Sequence, residues 1–228
     1  MIKQVLGICL TLLILPPLLG QSRTYSLTSL EGLELHNTKA EVVDYKGTTC
    51  IQVTQKDASV LEQGLETLVI IPATSFTNGT IEVELAGEPA PGMPATSRGF
   101  VGLAFRLKRS APIAYESIYL RPTNGRSENQ LMRNHSVQYI SHPDFPWNKL
   151  RSENPGVYET YVDCEPGVWT KLKIVVEGEK AALYVHDKNQ PTLIVNDLKL
   201  GKTGGEVALW LDATTLAHFR NLVITPGE

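Results

Sequence analysis

Apolar and polar side chains alternate with a period of two along much of the chain. In residues 100–106, large apolar side chains occupy positions 101, 103 and 105, and small residues or Arg106 occupy the positions between and after them. Such alternation is typical of a strand with one face in a core. The other face would be an open sheet surface carrying Arg106, although a strand packed closely under a loop has the same pattern.

Segments with this alternation recur between clusters of Gly, Pro, Asn and Asp, which favour turns. The predicted strands cover residues 33–36, 40–44, 50–54, 65–71, 80–85, 100–106, 115–121, 158–163, 170–176, 181–186, 192–196, 205–211 and 218–225. Residues 86–98 read as a Pro/Gly-rich loop, and there is no amphipathic helix of ordinary length and no internal repeat. The pattern predicts an all-β fold, a two-sheet antiparallel sandwich, with Trp169, Trp210 and Phe219 in its core.

The first 22 residues have the composition of a secretion signal. Lys3 precedes an apolar run over residues 5–15, and small residues follow at 20–22. The run is short for a membrane span and is interrupted by Pro16 and Pro17, so cleavage is predicted, with an uncleaved anchor as the alternative. Residues 23–228 would then form one secreted or periplasmic domain without a stable membrane span.

The net charge of −3 gives no basic field of the kind that binds nucleic acid, so no nucleic-acid partner is predicted. After cleavage of residues 1–22, Cys50 and Cys164 remain. Export permits a disulfide between them, but their separation in sequence does not fix their distance in space. A disulfide and two buried thiols are both open.

The stretch from residue 115 to 151 is dense in arginine, amide, histidine and aromatic side chains. Guanidinium forks, amides and aromatic faces together suit a ligand rich in hydroxyl and carboxylate groups, such as a sugar. The alternative is an irregular segment held by its own buried hydrogen bonds. The candidate ligand-binding residues are Arg106, Glu116, Tyr119, Arg121, Asn124, Arg126, Gln130, Arg133, Asn134, His135, Tyr139, His142, Trp147 and Arg151.

The parity of residues 115–121 places Tyr119 and Arg121 on one face and Ile118 and Leu120 on the other. Together with Arg106 they would make a polar floor. Trp147 is either a stacking platform on the rim or a loop tryptophan buried under the domain edge.

Several segments resemble the concanavalin A-like jelly roll, as found in laminin-G-like modules and bacterial 3-keto-disaccharide hydrolase-like domains. They are GVWTKLKI at 167–174, AALYV at 181–185, GEVALW at 205–210 and AHFRNL at 217–222, with 78–84 and 98–106 similar to earlier strands. The resemblance implies the fold, which hosts lectins, glucanases, lyases and adhesion modules alike. The central stretch is also similar to that of uncharacterised exported bacterial proteins of this fold, from which no residue role transfers.

The predicted function is a secreted carbohydrate-binding module that recognises a polysaccharide or glycoside on the concave sheet face. The alternative is a carbohydrate-active enzyme that uses the Arg, His and Tyr cluster. As a glycoside hydrolase it would need two carboxylates, and Glu82 with Glu84, or Glu159 with Asp163, are the nearest pairs, although neither has the spacing of the laminarinase-type motif. A 3-keto-glycoside hydrolase activity also stays open.

A polysaccharide lyase would need an Arg or amide to neutralise a uronate and a Tyr or His to remove a proton. The residue types are present, with Tyr139 and His135 as base candidates, but the strand motifs of jelly-roll lyases are not. His135 and His142 lack zinc-ligand spacing, so no metal site or cofactor is predicted. The resemblance allows a structural Ca²⁺, for which Asp144, Asp163 and Asp212 are possible ligands without calcium-loop spacing.

Overall fold

The computed structural model describes residues 20–57 and 66–227, whose strands form two antiparallel sheets packed face to face. Residues 1–19 of the predicted secretion signal lie outside the described residues. Within those ranges, none of the helices has the length and apolar character that crossing a membrane requires. The predicted all-β, two-sheet antiparallel sandwich is confirmed.

The first sheet has eight strands in the order β13-β12-β11-β6-β15-β4-β3, with β1 also pairing with β15. Its strands are β1 (Arg23–Tyr25), β3 (Thr38–Tyr45), β4 (Thr48–Gln55), β6 (Gly79–Pro89), β11 (Thr170–Glu177), β12 (Lys180–Val185), β13 (Leu193–Val195) and β15 (Thr215–Pro226). A register shift in β15 lets the single long strand pair with β4 in its first half and with β1 in its second.

The second sheet has seven strands in the order β10-β9-β8-β7-β14-β5-β2. They are β2 (Glu34–His36), β5 (Leu68–Phe76), β7 (Val101–Lys108), β8 (Ala114–Leu120), β9 (Val137–His142), β10 (Glu159–Thr160) and β14 (Gly205–Leu211). Three short helices interrupt it: α1 (Pro122–Gly125) and α2 (Gln130–Arg133) between β8 and β9, and α3 (Trp147–Glu153) between β9 and β10.

The inner faces of both sheets share one apolar core, in which Leu103, Ile118 and Leu209 of the second sheet meet Ile81 and Leu172 of the first. All five are fully buried. Burying one such side chain stabilises the fold by about 2 kcal/mol. Because side chains alternate between the two faces of a strand, a buried side chain also decides which face each neighbouring residue occupies. The parity predicted for residues 115–121 is therefore confirmed.

The outer face of the seven-stranded sheet carries a second apolar cluster that includes Leu68, Ala104, Tyr119 and Trp210. Trp210 is buried as predicted, but it belongs to this second cluster, because it alternates with Leu209 and Leu211, which face the core between the sheets. Phe219 lies in the core as predicted. Trp169 is only partly buried and is not part of the core, contrary to its prediction; its ring meets that of Tyr45 edge-on, at 5.6 Å between centroids.

Strand β9 was not among the predicted strands, because its sequence contains the polar residues Gln138 and Ser141. Both residues are buried. The Gln138 amide donates to the Tyr158 carbonyl, and Ser141 exchanges backbone hydrogen bonds with Phe145, so these polar residues are satisfied without facing solvent. The predicted strand over 158–163 is reduced to β10, which pairs with β9 through only two residues.

The predicted position of Arg106 on the open sheet face is wrong. The register of β7 shifts between Phe105 and Lys108, and Arg106 takes a left-handed backbone conformation with φ of 54°. This extra residue in the strand is a β-bulge, which redirects its side chain. The Arg106 guanidinium is fully buried and donates to the carbonyl oxygens of Thr77, Gly178 and Gly201 at 2.6–3.1 Å.

Candidate functional site

A cavity of about 680 Å³ lies against the outer face of the seven-stranded sheet. We call it the aromatic cavity. Its lining residues are Arg98, Phe100, Tyr115, Tyr119, Arg121, Asn124, Leu131, Met132, His135, Ile140, His142, Pro146, Trp147, Asn148, Arg151, Trp210 and Asp212. The floor comes from strands β8, β9 and β14 and from Phe100, the residue before β7, and the walls come from the segments 121–136 and 143–158 that contain the three helices.

Three stacked rings form the centre of the floor. The Tyr119 ring lies 5.5 Å from that of Phe100 and 4.5 Å from that of Trp210, with interplanar angles of 27° and 25°. The indole Nε1 of Trp210 donates to the Tyr115 hydroxyl at 3.1 Å. Burial raises the pKa values of both Tyr115 and Tyr119, so these hydroxyls stay neutral at physiological pH.

The floor continues across β9 through His142, whose ring stacks on Tyr115 at 4.9 Å and 12°. Its Nε2 lies 3.2 Å from the carboxylate of Glu66. Aromatic rings from neighbouring strands are thus stacked on one another along the floor, which fixes their positions.

Arg121 stands at the end of β8, where the chain leaves the floor for the wall. Its Nη1 donates to the His135 carbonyl at 3.0 Å, and its Nη2 donates to Tyr119 Oη at 3.1 Å and Gln138 Oε1 at 3.2 Å. The guanidinium carbon lies 5.0 Å from the Phe100 ring centroid and 5.7 Å from that of Trp147. The side chain is therefore fixed between floor and wall by both hydrogen bonds and ring contacts.

The opposite wall is built on α3. Trp147, with 36% of its surface exposed, stacks under the guanidinium of Arg151 at 4.7 Å. Arg151 makes a bidentate ion pair with the buried carboxylate of Glu159 at 2.7–3.0 Å. Of the two placements open for Trp147, the rim of a site agrees with the structure.

His135 lines the cavity beside this ion pair, and its Nδ1 lies 2.8 Å from Oε2 of Glu159. Burial lowers the pKa of His135, and the positive charges of Arg151 and Arg121 add to that, while Glu159 opposes it. The imidazole is therefore neutral at pH 7. Nδ1 lies close to Glu159 without the geometry of a hydrogen bond, so the contact is electrostatic.

The remaining wall is the segment with α1 and α2. Asn129 caps α2 by accepting from the backbone amides of Leu131 and Met132 at 3.0 and 3.3 Å. Asn124 is buried and donates to the His135 carbonyl, the same oxygen that accepts from Arg121. The His135 carbonyl thus ties this wall segment to Asn124 and to Arg121 at the end of β8.

Seven of the candidate residues come together at the aromatic cavity: Tyr119, Arg121, Asn124, His135, His142, Trp147 and Arg151. Four lie on the surface outside its lining: Arg126, Gln130, Arg133 and Asn134. Arg126 is exposed and paired with Asp163 at 2.8 Å and Glu165 at 2.6 Å. Arg133 donates to the Tyr161 hydroxyl at 3.0 Å, so these groups bind one another.

Arg106, Glu116 and Tyr139 lie on the inner side of the sheet, and the structure does not place them in the cavity lining. The Tyr139 hydroxyl donates to Glu116 Oε2 at 2.7 Å and accepts from the Lys199 amide at 2.9 Å. Glu116 Oε1 accepts from the Leu200 amide at 2.7 Å. The pair fixes the loop after β13 to the sheet, and burial raises the pKa of each group, which removes Tyr139 as a base for ligand in the cavity.

Phe100, Tyr115 and Trp210 line the cavity but were not among the candidates. Phe100 and Trp210 belong to predicted strands outside the central stretch, so a search confined to that stretch misses them. The alternation of 205–211 did contain the information, because Leu209 and Leu211 fall on the opposite face from Trp210. Arg98 and Asp212 line it from loops that the strand pattern does not place.

The structure does not bring the carboxylate pairs of a hydrolase to this cavity. Glu84 pairs with Arg220 on the eight-stranded sheet at 2.6 Å, and Asp163 pairs with Arg126. Among the residues that the structure describes, no group of three His, Cys, Asp or Glu side chains could hold a metal ion. Asp212, one of the possible calcium ligands, accepts from the amide and hydroxyl of Thr214.

No protein-family model matches the sequence, and no curated protein is a significant relative. Solved structures match the fold. A galectin-like protein of unknown function from Bacillus subtilis has a TM-score of 0.57 at 10% identity, over 91% of this chain and 96% of that chain. The carbohydrate-binding module CBM66 from Bacillus subtilis has a TM-score of 0.54 at 15% identity, over 85% and 96%.

The Crh5 transglycosylase in complex with NAG has a TM-score of 0.53 at 14% identity, over 94% of this chain and 88% of that chain. Identities this low establish the shared fold alone. The predicted jelly-roll sandwich fold is therefore confirmed, and the ligand has to be argued from the cavity.

Proposed function

We propose that the aromatic cavity binds a carbohydrate and that the protein is a carbohydrate-binding module. The observation that carries the proposal is a cavity lined by aromatic rings and guanidinium groups, in which the exposed ring of Trp147 lies near the guanidinium of Arg121. The C–H face of a sugar ring packs on an exposed aromatic face, while its hydroxyls need donors and acceptors at the edge. Trp147 and the polar lining residues offer both.

The size of the cavity agrees with a short saccharide. A volume of about 680 Å³ lies within the range of roughly 300–1,000 Å³ that is usual for small-molecule sites. Trp147 on the rim gives a further aromatic face at the edge of the opening. The names of similar structures, a carbohydrate-binding module and a transglycosylase in complex with NAG, make saccharides the ligand class to test first.

The test is a binding screen of the protein against immobilised polysaccharides, followed by titration calorimetry. Trp147→Ala is expected to weaken binding at least tenfold, because it removes a stacking face and leaves the core intact. Tyr161→Ala is the matched control, since Tyr161 is 40% exposed and lies outside the cavity lining. Equal affinities of the two variants would contradict the proposal.

A carbohydrate-active enzyme is the second candidate, favoured by His135 and Glu159. A neutral histidine with a carboxylate at Nδ1 can accept a proton at Nε2, which hydrolysis and β-elimination both require. The measurement is the release of reducing and unsaturated ends from bound polysaccharide. A product that His135→Gln abolishes without loss of binding would support an enzyme, and retention without product would leave a binding module.

We also propose that this binding takes place outside the cytoplasm, because residues 1–22 have the composition of a cleaved secretion signal. Export from the producing cell and a mature N-terminus near Arg23 are expected. Mass spectrometry of the exported protein measures both, and recovery of the protein only from the cytoplasm would contradict the proposal.

A further inference from the structure

Arg121 is the charged residue of the aromatic cavity whose environment is least expected. It is 4% exposed, and none of the described carboxylates lies within 4.0 Å of its guanidinium. Its partners are a carbonyl, a phenol and an amide oxygen, which are all neutral. Its Nε has no partner among the described residues.

Other arginines show how this chain usually compensates the charge. Arg109, Arg126, Arg151 and Arg220 each lie within 3 Å of a carboxylate. Arg106 is as deeply buried as Arg121, but it makes four hydrogen bonds to three backbone carbonyls in the interior. Arg121 has neither a carboxylate partner nor a set of backbone carbonyls around its guanidinium, and it lines the aromatic cavity.

A buried guanidinium without a counter-charge is costly, and a neighbouring anion lowers that cost. The rings of Phe100, Tyr119 and Trp147 exclude water from three sides of it, at 5.0–5.7 Å from Cζ. Electrostatic attraction is stronger in such surroundings than in bulk water. An anionic group on a ligand would therefore gain most at this point of the cavity.

The charges that line the cavity agree with this. Three arginines, Arg98, Arg121 and Arg151, face one lining carboxylate, that of Asp212. Glu159 compensates Arg151, and Asp212 is hydrogen-bonded to Thr214. The protein as a whole carries a charge of −3, so the positive character is local to the cavity and is not a property of the surface.

We propose that the aromatic cavity selects an acidic saccharide whose anionic group binds the Arg121 guanidinium, with the sugar ring on the floor. The inference rests on the proposed function, because it specifies the class of saccharide. Carboxylate and sulfate groups share the required chemistry of a planar or tetrahedral oxyanion that accepts from N–H donors. A uronic acid and a sulfated sugar are the two sources, which binding experiments separate.

The experiment uses titration calorimetry with the whole chain and three sets of oligosaccharides. The first set contains galacturonate, glucuronate and mannuronate/guluronate oligomers, each with its methyl ester, which keeps the shape and removes the charge. The second contains sulfated galactans, and the third contains neutral gluco-, xylo- and fructo-oligosaccharides. At least one acid is expected to bind tenfold or more tightly than its ester or its desulfated form, and more weakly as NaCl is raised.

Arg121→Gln is expected to abolish the preference for the acid over the neutral form, and Arg121→Lys to keep part of it. Arg126→Gln removes the same charge from an exposed site outside the cavity lining and should change nothing. Thermal unfolding of every variant checks that it folds, and the salt dependence of the wild type tests the inference without any variant. Preference for a methyl ester, or equal binding of acid and ester, would overturn it.

The results separate failure of the acidic specificity from failure of the proposed function. Binding confined to neutral oligosaccharides, with Trp147→Ala weakening it, would overturn the acidic specificity and leave the proposed function standing. Loss of the preference in Arg126→Gln as well as Arg121→Gln would assign it to overall charge and overturn the role of Arg121. Absence of binding to every saccharide would overturn both the inference and the proposed function.

Discussion

Arg106 and Arg126 show at the level of single residues why side-chain type does not identify a ligand contact. Both were candidates because a guanidinium suits sugar recognition. The bulge in β7 turns Arg106 into the protein, where backbone carbonyls take its donors, and Arg126 lies in an exposed ion pair. Neither the bulge nor the ion pair can be read from residue types, because both depend on the partner strand or loop.

The two arginines predict opposite effects on stability. Arg106→Met should lower the free energy of unfolding by about 3–5 kcal/mol, because three buried carbonyls lose their donor. Arg126→Met should change it little, since exposed ion pairs contribute little. Urea denaturation followed by tryptophan fluorescence measures both, and a loss in Arg106→Met no larger than in Arg126→Met would refute this role.

His218 predicts a pH dependence of folding. It is buried on the eight-stranded sheet, its ring stacks on Tyr45 at 3.6 Å, and burial lowers its pKa to about 4, with Lys46 adding to the shift. The unfolded chain therefore binds this proton at a higher pH than the folded protein does. Its stabilising contribution is complete above pH 6.5 and falls by about 2–3 kcal/mol as the pH decreases toward 4.

The measurement compares free energies of unfolding at pH 7.5 and 4.5. His218→Phe keeps a ring on Tyr45 and should lose less stability over this interval than the wild type. His36→Gln removes a partly exposed imidazole from β2 and serves as the control. Acid losses that are equal in wild type and His218→Phe would show that His218 is not responsible.

At the scale of elements, the predicted strands mostly agree with the structure because their period of two reflects a real difference between two faces. The rule failed where both faces are buried. Strand β9 has polar residues toward the outer face that are satisfied by side chains and backbone, so its alternation is hidden. The sequences of the two wall segments have no period that predicts a structure. Their conformation is fixed by contacts with other elements, such as the ion pair between Arg151 and Glu159.

Gly102 on β7 sets the distance between two strands of the cavity floor. A Cβ on it would lie 2.4 Å from the Ile118 carbonyl oxygen and 2.6 Å from both Cα and Cβ of Tyr119. Gly102→Ala should therefore displace β8, lower stability by about 1–3 kcal/mol and weaken saccharide binding through Tyr119. Thermal unfolding and calorimetry measure the two effects.

Ser117 provides the comparison on the same strand and face as Tyr119. Its hydroxyl is buried without a partner among the described residues. Ser117→Ala removes an unsatisfied group and should leave stability equal or higher, with binding unchanged. If Gly102→Ala and Ser117→Ala behaved alike, the close approach of β7 to β8 would not control the floor.

For the whole molecule, the sandwich fold was predictable and the ligand was not. Two sheets follow from many short alternating strands, and similar structures with 10–15% identity share the fold. The cavity instead depends on which outer-face residues β7, β8, β9 and β14 bring together, and on the segments that cover them. These contacts are long-range in sequence, so the central stretch supplied only part of the site.

The buried cysteines predict how the whole domain opens. Cys50 lies in the eight-stranded sheet and Cys164 lies beside α1; both are free and buried, which answers the question left open between a disulfide and two thiols. Burial raises the pKa values of both thiols, that of Cys164 to about 12, so little reactive thiolate is present at pH 8. Because the two sheets share one core, unfolding should expose both cysteines together.

Labelling with a thiol reagent across a urea gradient, with mass spectrometry of each peptide, should give one midpoint for both residues. That midpoint should coincide with the loss of tryptophan fluorescence and stay unchanged when reductant is added, whereas labelling of Cys164 well before Cys50 would show that the wall around α1 opens on its own.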